Sequence, residues 1–155
     1  MPVTISKKQE VLIGQGIQSP VQFSENGGTE LFVLSNGLNR INQSIKTILD
    51  TPVGSRFNNV YFGSNLHKRV FEPNDYVLKD LLYYDIYGAL QRWEARIVIK
   101  DVEFITWEED NSVSEHQINI LITYLVTSTQ QIGSYVYPFV RNGAAYSSID
   151  TPTGI

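Results

Sequence analysis

Acidic side chains at Glu72, Asp75, Glu94 and Glu103, with the run Glu108-Glu109-Asp110, are the carboxylates from which a glycoside-cleaving site could be built. Such a site needs two acids about 5–10 Å apart across a sugar cleft, one of them held protonated near neutral pH. No signature in the sequence sets any pair of these acids apart. Glu108 to Asp110 reads as a solvated turn, and Glu72, beside Pro73, as a partner for a helix end. The histidines, His67 and His116, have no second ligand at helical or hairpin spacing, so no metal site is expected. There is no cysteine, which excludes a thiol nucleophile, a disulfide and a thiolate zinc site. Neither a Gly-x-Ser-x-Gly elbow nor a phosphate-binding loop is present, and Gly14-Gln-Gly16 lacks the strand-helix context of one. No cofactor is expected.

Glu94-Ala95-Arg96, considered together with Arg56, is different in kind. An arginine withdrawn from water needs a carboxylate, and its rigid fork favours a two-pronged contact that lysine cannot reproduce. The partner lies either within the chain, as an ion pair holding a helix-to-strand turn, or across an interface.

The elements that must position these residues can be read from the pattern of apolar positions. The chain has 155 residues, 42% hydrophobic and 18% charged, enough for one domain with a real core. A net charge of −4 argues against nucleic acid as a partner. No apolar run is long enough for a secretory or membrane-spanning segment, so no membrane partner is expected.

Asn26-Gly27-Gly28 lies between Val21–Phe23 and Leu31–Leu34, which suggests an N-terminal hairpin or arm. Leu38, Ile41, Ile45, Ile48 and Leu49 share one helical face, so a first helix is expected from Leu38 to Leu49, capped by Ser35 or Asn36 and ended by Thr51-Pro52. One or two further turns are expected over Leu66–Phe71. The longest helix should start at Asn74 or Asp75 and reach Trp93, with Gly88 inside it costing about 1 kcal/mol relative to Ala and suggesting close approach by a neighbour.

From Ile97 the period becomes two. It slips at Lys100-Asp101, where a bulge or strand break is expected. Gln117–Val126 alternates as a strand whose faces both read as covered, and Tyr135–Val140 as another, placed at an edge by Pro138. The tail from Ser147 is rich in Ser, Thr, Pro and Gly. The expectation is an α+β fold, two to three helices on a small antiparallel sheet with N- and C-terminal extensions. Its divisions are an arm over 1–30, a core over 31–130 and a C-terminal strand and tail over 131–155.

Ser44-Ile-Lys-Thr-Ile-Leu-Asp-Thr-Pro-Val-Gly-Ser-Arg56, then Tyr61-Phe-Gly-Ser-Asn-Leu66, Phe71-Glu-Pro73 and Trp93-Glu-Ala-Arg-Ile97 follow in an informative order. Their order and spacing resemble the baseplate wedge family of contractile phage tails, the tail-sheath initiators, with relatives in contractile injection and type VI secretion machines. Some members have been labelled tail lysozymes. The resemblance covers roughly Leu31 to Thr127. Family members usually carry Glu-Pro-Arg at the helix-to-sheet junction; Glu94 and Arg96 match it and Ala95 departs from it.

The resemblance implies a non-enzymatic structural protein present in several copies around the tail tube. It implies docking onto wedge and hub proteins through the junction triplet, and a sheet edge joined by strands of the tail sheath protein. It also implies residence in the virion baseplate after assembly in the host cytoplasm. The candidate interface residues are therefore Glu94, Arg96 and Arg56, with Ile118, Ile120, Ile122 and Tyr124 on the strand expected to offer its edge. Tyr83, Tyr84 and Tyr87, of a type enriched at interfaces, are either interface residues or half-buried helix packing. The competing readings are a peptidoglycan-cleaving lysozyme and a small adaptor unrelated to phage tails.

Overall fold

The computed structural model describes residues 13–23, 32–73, 75–106 and 117–140. The arm is a short antiparallel ribbon, β1 (Gln15–Ile17) on β2 (Leu34–Asn36), continued by an isolated bridge between Phe23 and Phe32. Those two rings lie 5.6 Å apart. The expected Asn26-Gly27-Gly28 turn lies outside the described residues, but the strands on either side of it are paired.

Helix α1 (Gly37–Asp50) follows β2 directly. Ile41, Ile45, Ile48 and Leu49 are buried, as the 3.6-residue period requires. Asn36 occupies the N-cap position but its side chain makes no capping bond, a correction to the expected cap. Thr51 ends the helix in an extended conformation, forced by Pro52. A single 3-10 turn, Leu66–Arg69, replaces the expected longer piece. Helix α2 (Tyr76–Trp93) starts at Asp75, whose carboxylate accepts the Leu78 N–H at 2.8 Å. Leu78, Leu82, Ile86 and Leu90 form its buried stripe.

The sheet has the order β3 (Ile97–Ile105), β4 (Gln117–Val126), β5 (Ile132–Val140), all antiparallel. The register of β3 on β4 shifts between Ile99 and Asp101. The bulge falls where the sequence changes phase, and it lets Ile97 and Val102 both reach the core. Helix α2 packs on β3, and α1 on α2 and β5. The core lies between the helices and one face of the sheet. The other face of β4, from Gln117 to Leu125, is half-buried and not covered by a second layer of described residues.

β4 is the central strand of the three. Ile118, Ile120, Ile122 and Tyr124 are all essentially buried, because β5 closes the edge that a lone hairpin would have left open. β5 also sends Tyr137 and Phe139 into the core. The division expected at 130/131 thus falls between two strands of one sheet. Glu108–Asn111, His116 and the tail from Ser147 lie outside the described residues. Among the described residues no helix is long and apolar enough to cross a membrane.

Candidate functional site

The junction between α2 and β3 is built around one buried carboxylate. Glu94 is the C-cap of α2, its N–H donating to the Leu90 carbonyl at 2.9 Å. Its side chain is only 4% exposed. Arg96, two residues on, grips it with both prongs: Nε donates to Oε1 at 2.6 Å and Nη2 to Oε2 at 2.5 Å. The Arg96 N–H also points at Oε1, at 3.3 Å. The turn is therefore held by a charge-assisted fork. Ala95 stands exposed at its tip.

Burial pushes the Glu94 carboxyl up. Hydrogen bonds from Arg96 and from the Ser44 hydroxyl, with the Arg96 charge, outweigh that and hold it below the ordinary carboxylate range. The same hydrogen bond raises Arg96 against its own partial burial. Of the two possibilities left open by the sequence, the carboxylate for Arg96 is supplied within the chain. Glu94 has little surface left for a partner, whereas Arg96 keeps 36% of its side chain exposed. Arg96 Nη1 further donates to the Ile13 carbonyl at 3.2 Å, fastening the arm to the junction. Tyr124 lies within the field of Glu94. Burial, with that negative charge, pushes its hydroxyl up to about 12, so it stays a neutral donor, bonded to Asn42 Oδ1 at 2.6 Å. Its ring covers Gly133, where any Cβ would strike it.

Arg56 is not part of this pair. It stands on the loop from Thr51 to Asn65, which is closed on itself by Val53 N–H to Ser64 O (3.2 Å), Ser64 N–H to Thr51 O (2.9 Å) and Gly54 N–H to Val60 O (2.8 Å). Gly63 makes the closure possible. Its φ of +114° suits glycine, and a Cβ there would collide with the Thr51 carbonyl oxygen. The Arg56 guanidinium lies 3.8 Å from the centroid of Phe62, and Phe62 lies 5.2 Å from Trp93. Arg92 continues the ladder, 5.1 Å from Trp93 and 5.6 Å from Tyr61. Sequence reasoning singled out Arg56 and Trp93 but missed Arg92 and Tyr61 as their neighbours. The signal available was the pairing of Tyr61-Phe62 with Arg92-Trp93, two adjacent aromatic and cationic doublets.

The remaining acids have local work. Arg69 binds Glu72 at 2.9 Å and Asp85 at 3.0 Å, bridging the 3-10 turn to α2; these bonds raise its pKa. Asp75 caps α2, and Glu103 is exposed on β3. His67 Nε2 lies 3.0 Å from the Asp50 carbonyl oxygen. No metal-ligating cluster occurs among the described residues. Tyr83 stacks on Tyr87 at 5.9 Å, and Tyr84 is exposed.

The family profile described as baseplate wedge protein gp25 matches residues 35–131. Baseplate protein W of Escherichia phage P2 is 37% identical over 65 residues, spanning 42% of this chain and 56% of that protein's length. A crystal structure from Geobacter sulfurreducens, carrying the name "putative tail lysozyme", shares 34% identity with a TM-score of 0.63, covering 73% of this chain and 98% of its own. A chain of the post-contraction baseplate of pyocin R2 shares 25% identity with a TM-score of 0.51, covering 68% of this chain and 97% of its own. The profile match spans well over half of the sequence and includes both helices, the junction and the β3–β4 hairpin: the chain belongs to the baseplate wedge protein gp25 family.

Proposed function

We propose that this protein is a structural, non-enzymatic baseplate component that docks on neighbouring wedge and hub subunits and initiates the tail sheath. Docking uses the junction, where the exposed part of Arg96 is presented by a rigid fork on Glu94. Sheath initiation uses an outer sheet edge. β4 is excluded because both its edges are occupied. β3 carries the bulge, Lys100, Asp101 and Glu103 along its outer edge, features that discourage strand addition. β5 over Ile132–Tyr137 has no such device before Pro138, and Ile132 and Val136 stand exposed beside it. A strand of the sheath protein added there would find main-chain donors and acceptors together with apolar side chains.

The observation that carries this reading is a wedge-family core whose sheet ends, among the described residues, on a strand that carries no blocking device over Ile132–Tyr137. The acids weigh against the lysozyme reading, since Glu72, Asp75, Asp85 and Glu94 are each committed to a local hydrogen bond or ion pair. Turnover of peptidoglycan that disappears on Glu72→Gln or Glu94→Gln would reverse that judgement.

The test is reconstitution of baseplates with the chain's own neighbouring tail proteins. Baseplates lacking this protein should carry tube and no anchored sheath. Ile132→Lys with Val136→Lys, at exposed positions, should incorporate and fail to nucleate sheath. Normal sheath growth from either preparation would defeat the edge mechanism.

A further inference from the structure

Beside the ladder of rings and guanidiniums lies a groove of about 220 Å³, bounded by the Thr51–Asn65 loop on one side and by Tyr84, Asp85, Gly88 and Arg92 of α2 on the other. Gly88 lies on its α2 wall. Glycine inside a helix is destabilising by about 1 kcal/mol relative to alanine, and a neighbour pressed against it would explain its presence. Among the described residues there is none: a Cβ built on Gly88 meets nothing within 4 Å. The space is open to the outside, flanked by Tyr61 and Tyr84, which are 68% and 74% exposed.

Two charged side chains line the groove, Asp85 and Arg92; Asp85 is bound by Arg69, which leaves Arg92 as its unpaired charge, with Arg56 beside the groove on the outer side of Phe62. Arg69 and Arg96 each hold carboxylates, but no ion pair involves Arg56 or Arg92 among the described residues. Both guanidiniums are instead stacked on rings. Stacking fixes the plane of an arginine and leaves its N–H edge available for a two-pronged contact with an acid.

We propose that this groove seats an extended, carboxylate-bearing peptide segment of a partner subunit, with an apolar side chain over Gly88, an acidic side chain on Arg92 and a second where the segment leaves the groove toward Arg56. The open volume at Gly88 suits the apolar side chain. The exposed aromatic walls suit a segment that alternates apolar and acidic residues. This proposal does not rest on the sheet-edge mechanism, since the groove and the β5 edge belong to different elements.

The test uses the full chain, labelled with nitrogen-15, and a blocked peptide of about eight alternating Glu and Leu residues, long enough when extended at ~3.3 Å per residue to cross the groove. Its twin with Gln for Glu and a short single-stranded oligonucleotide serve as controls. The Glu peptide should shift the amides of Gly63 and Gly88 and the Trp93 indole, and its affinity should fall with added salt. The Gln twin should bind at least tenfold more weakly, and so should the Glu peptide on Arg92→Gln. Gly88→Leu, which meets no steric obstacle at Cβ, should retain the fold by its spectrum and lose the peptide. The proposal is overturned if no shifts appear at the groove up to millimolar peptide. It is equally overturned if the Gln twin or Gly88→Leu binds as well, or if the oligonucleotide binds more tightly than the peptide.

Discussion

Arg96 and Arg92 lie four positions apart, on either side of the end of α2, yet they have opposite surroundings. Arg96 folds back on a buried carboxylate two residues away, and three of its five guanidinium N–H donors are held by Glu94 and the Ile13 carbonyl. Arg92 lies on aromatic faces and makes no ion pair among the described residues. A paired buried charge serves the fold, because removing one partner strands the other in a low-dielectric site. A charge stacked on rings adds little to folding and stays available. Residue type alone does not separate the two; the position of the nearest carboxylate does.

That contrast can be broken experimentally, and the largest effect should come from Arg96→Ala. It should cost about 3 kcal/mol in urea unfolding, toward the low end of the range for a broken buried pair because Arg96 is partly exposed. The matching Arg92→Ala should cost under about 1 kcal/mol, the scale of an exposed cation–π contact. Equal losses would mean that the two arginines do the same work.

Gly63→Ala tests the frame that holds the ladder. It should cost about 2 kcal/mol or more, since it combines a positive φ with a clash against the Thr51 carbonyl. The Phe62–Trp93 contact should loosen with it, readable in the near-ultraviolet circular dichroism.

Acid titration sharpens the comparison further. Glu94 is held below its unfolded value of about 4.3. The stability it contributes is therefore fully present above that pH and is lost as pH falls through the folded value. In Arg96→Ala only burial and the Ser44 bond remain, and burial, the larger influence, raises the carboxyl. The dependence should invert, so that the variant's deficit shrinks as pH falls toward 4.3. Arg92→Ala should keep the parental acid profile. The smallest change is Gly88→Ala, which should stabilise the protein by up to about 1 kcal/mol, measured as a rise in thermal midpoint.

How much of this was legible in the sequence depended on the range of the interaction. The faces of α1 and α2, the Asp75 cap and the bulge near Lys100 are local and were readable from apolar period and turn chemistry. The phase slip even located which residues of β3 face inward. What alternation does not encode is which strand lies on the far side. Ile118, Ile120, Ile122 and Tyr124 announced a strand, expected to be covered on both faces and to offer an edge that Tyr135–Val140 would cover only until assembly. The pairing of β5 made it central. One consequence is that removing the chain from Ser134 onward would delete Tyr137 and Phe139 from the core and unfold the sheet. The candidate site divided similarly. Glu94 and Arg96 are close in sequence and were found. The ladder from Arg56 to Arg92 joins a loop to a helix end 36 positions later, and no periodicity connects them.

The bond from Arg96 to Ile13 ends on a backbone carbonyl. A carbonyl is carried by every residue type, so this clasp recognises the path of the arm and not its side chains. The one side-chain requirement at that point is an apolar group at position 13, where Ile13 is buried. The profile match begins only at residue 35. The wedge core can therefore be regarded as a socket: arms of unrelated sequence could be exchanged at this attachment while the junction stays intact. Diversification of partners would then proceed by replacing the arm, with no change to the core that receives it.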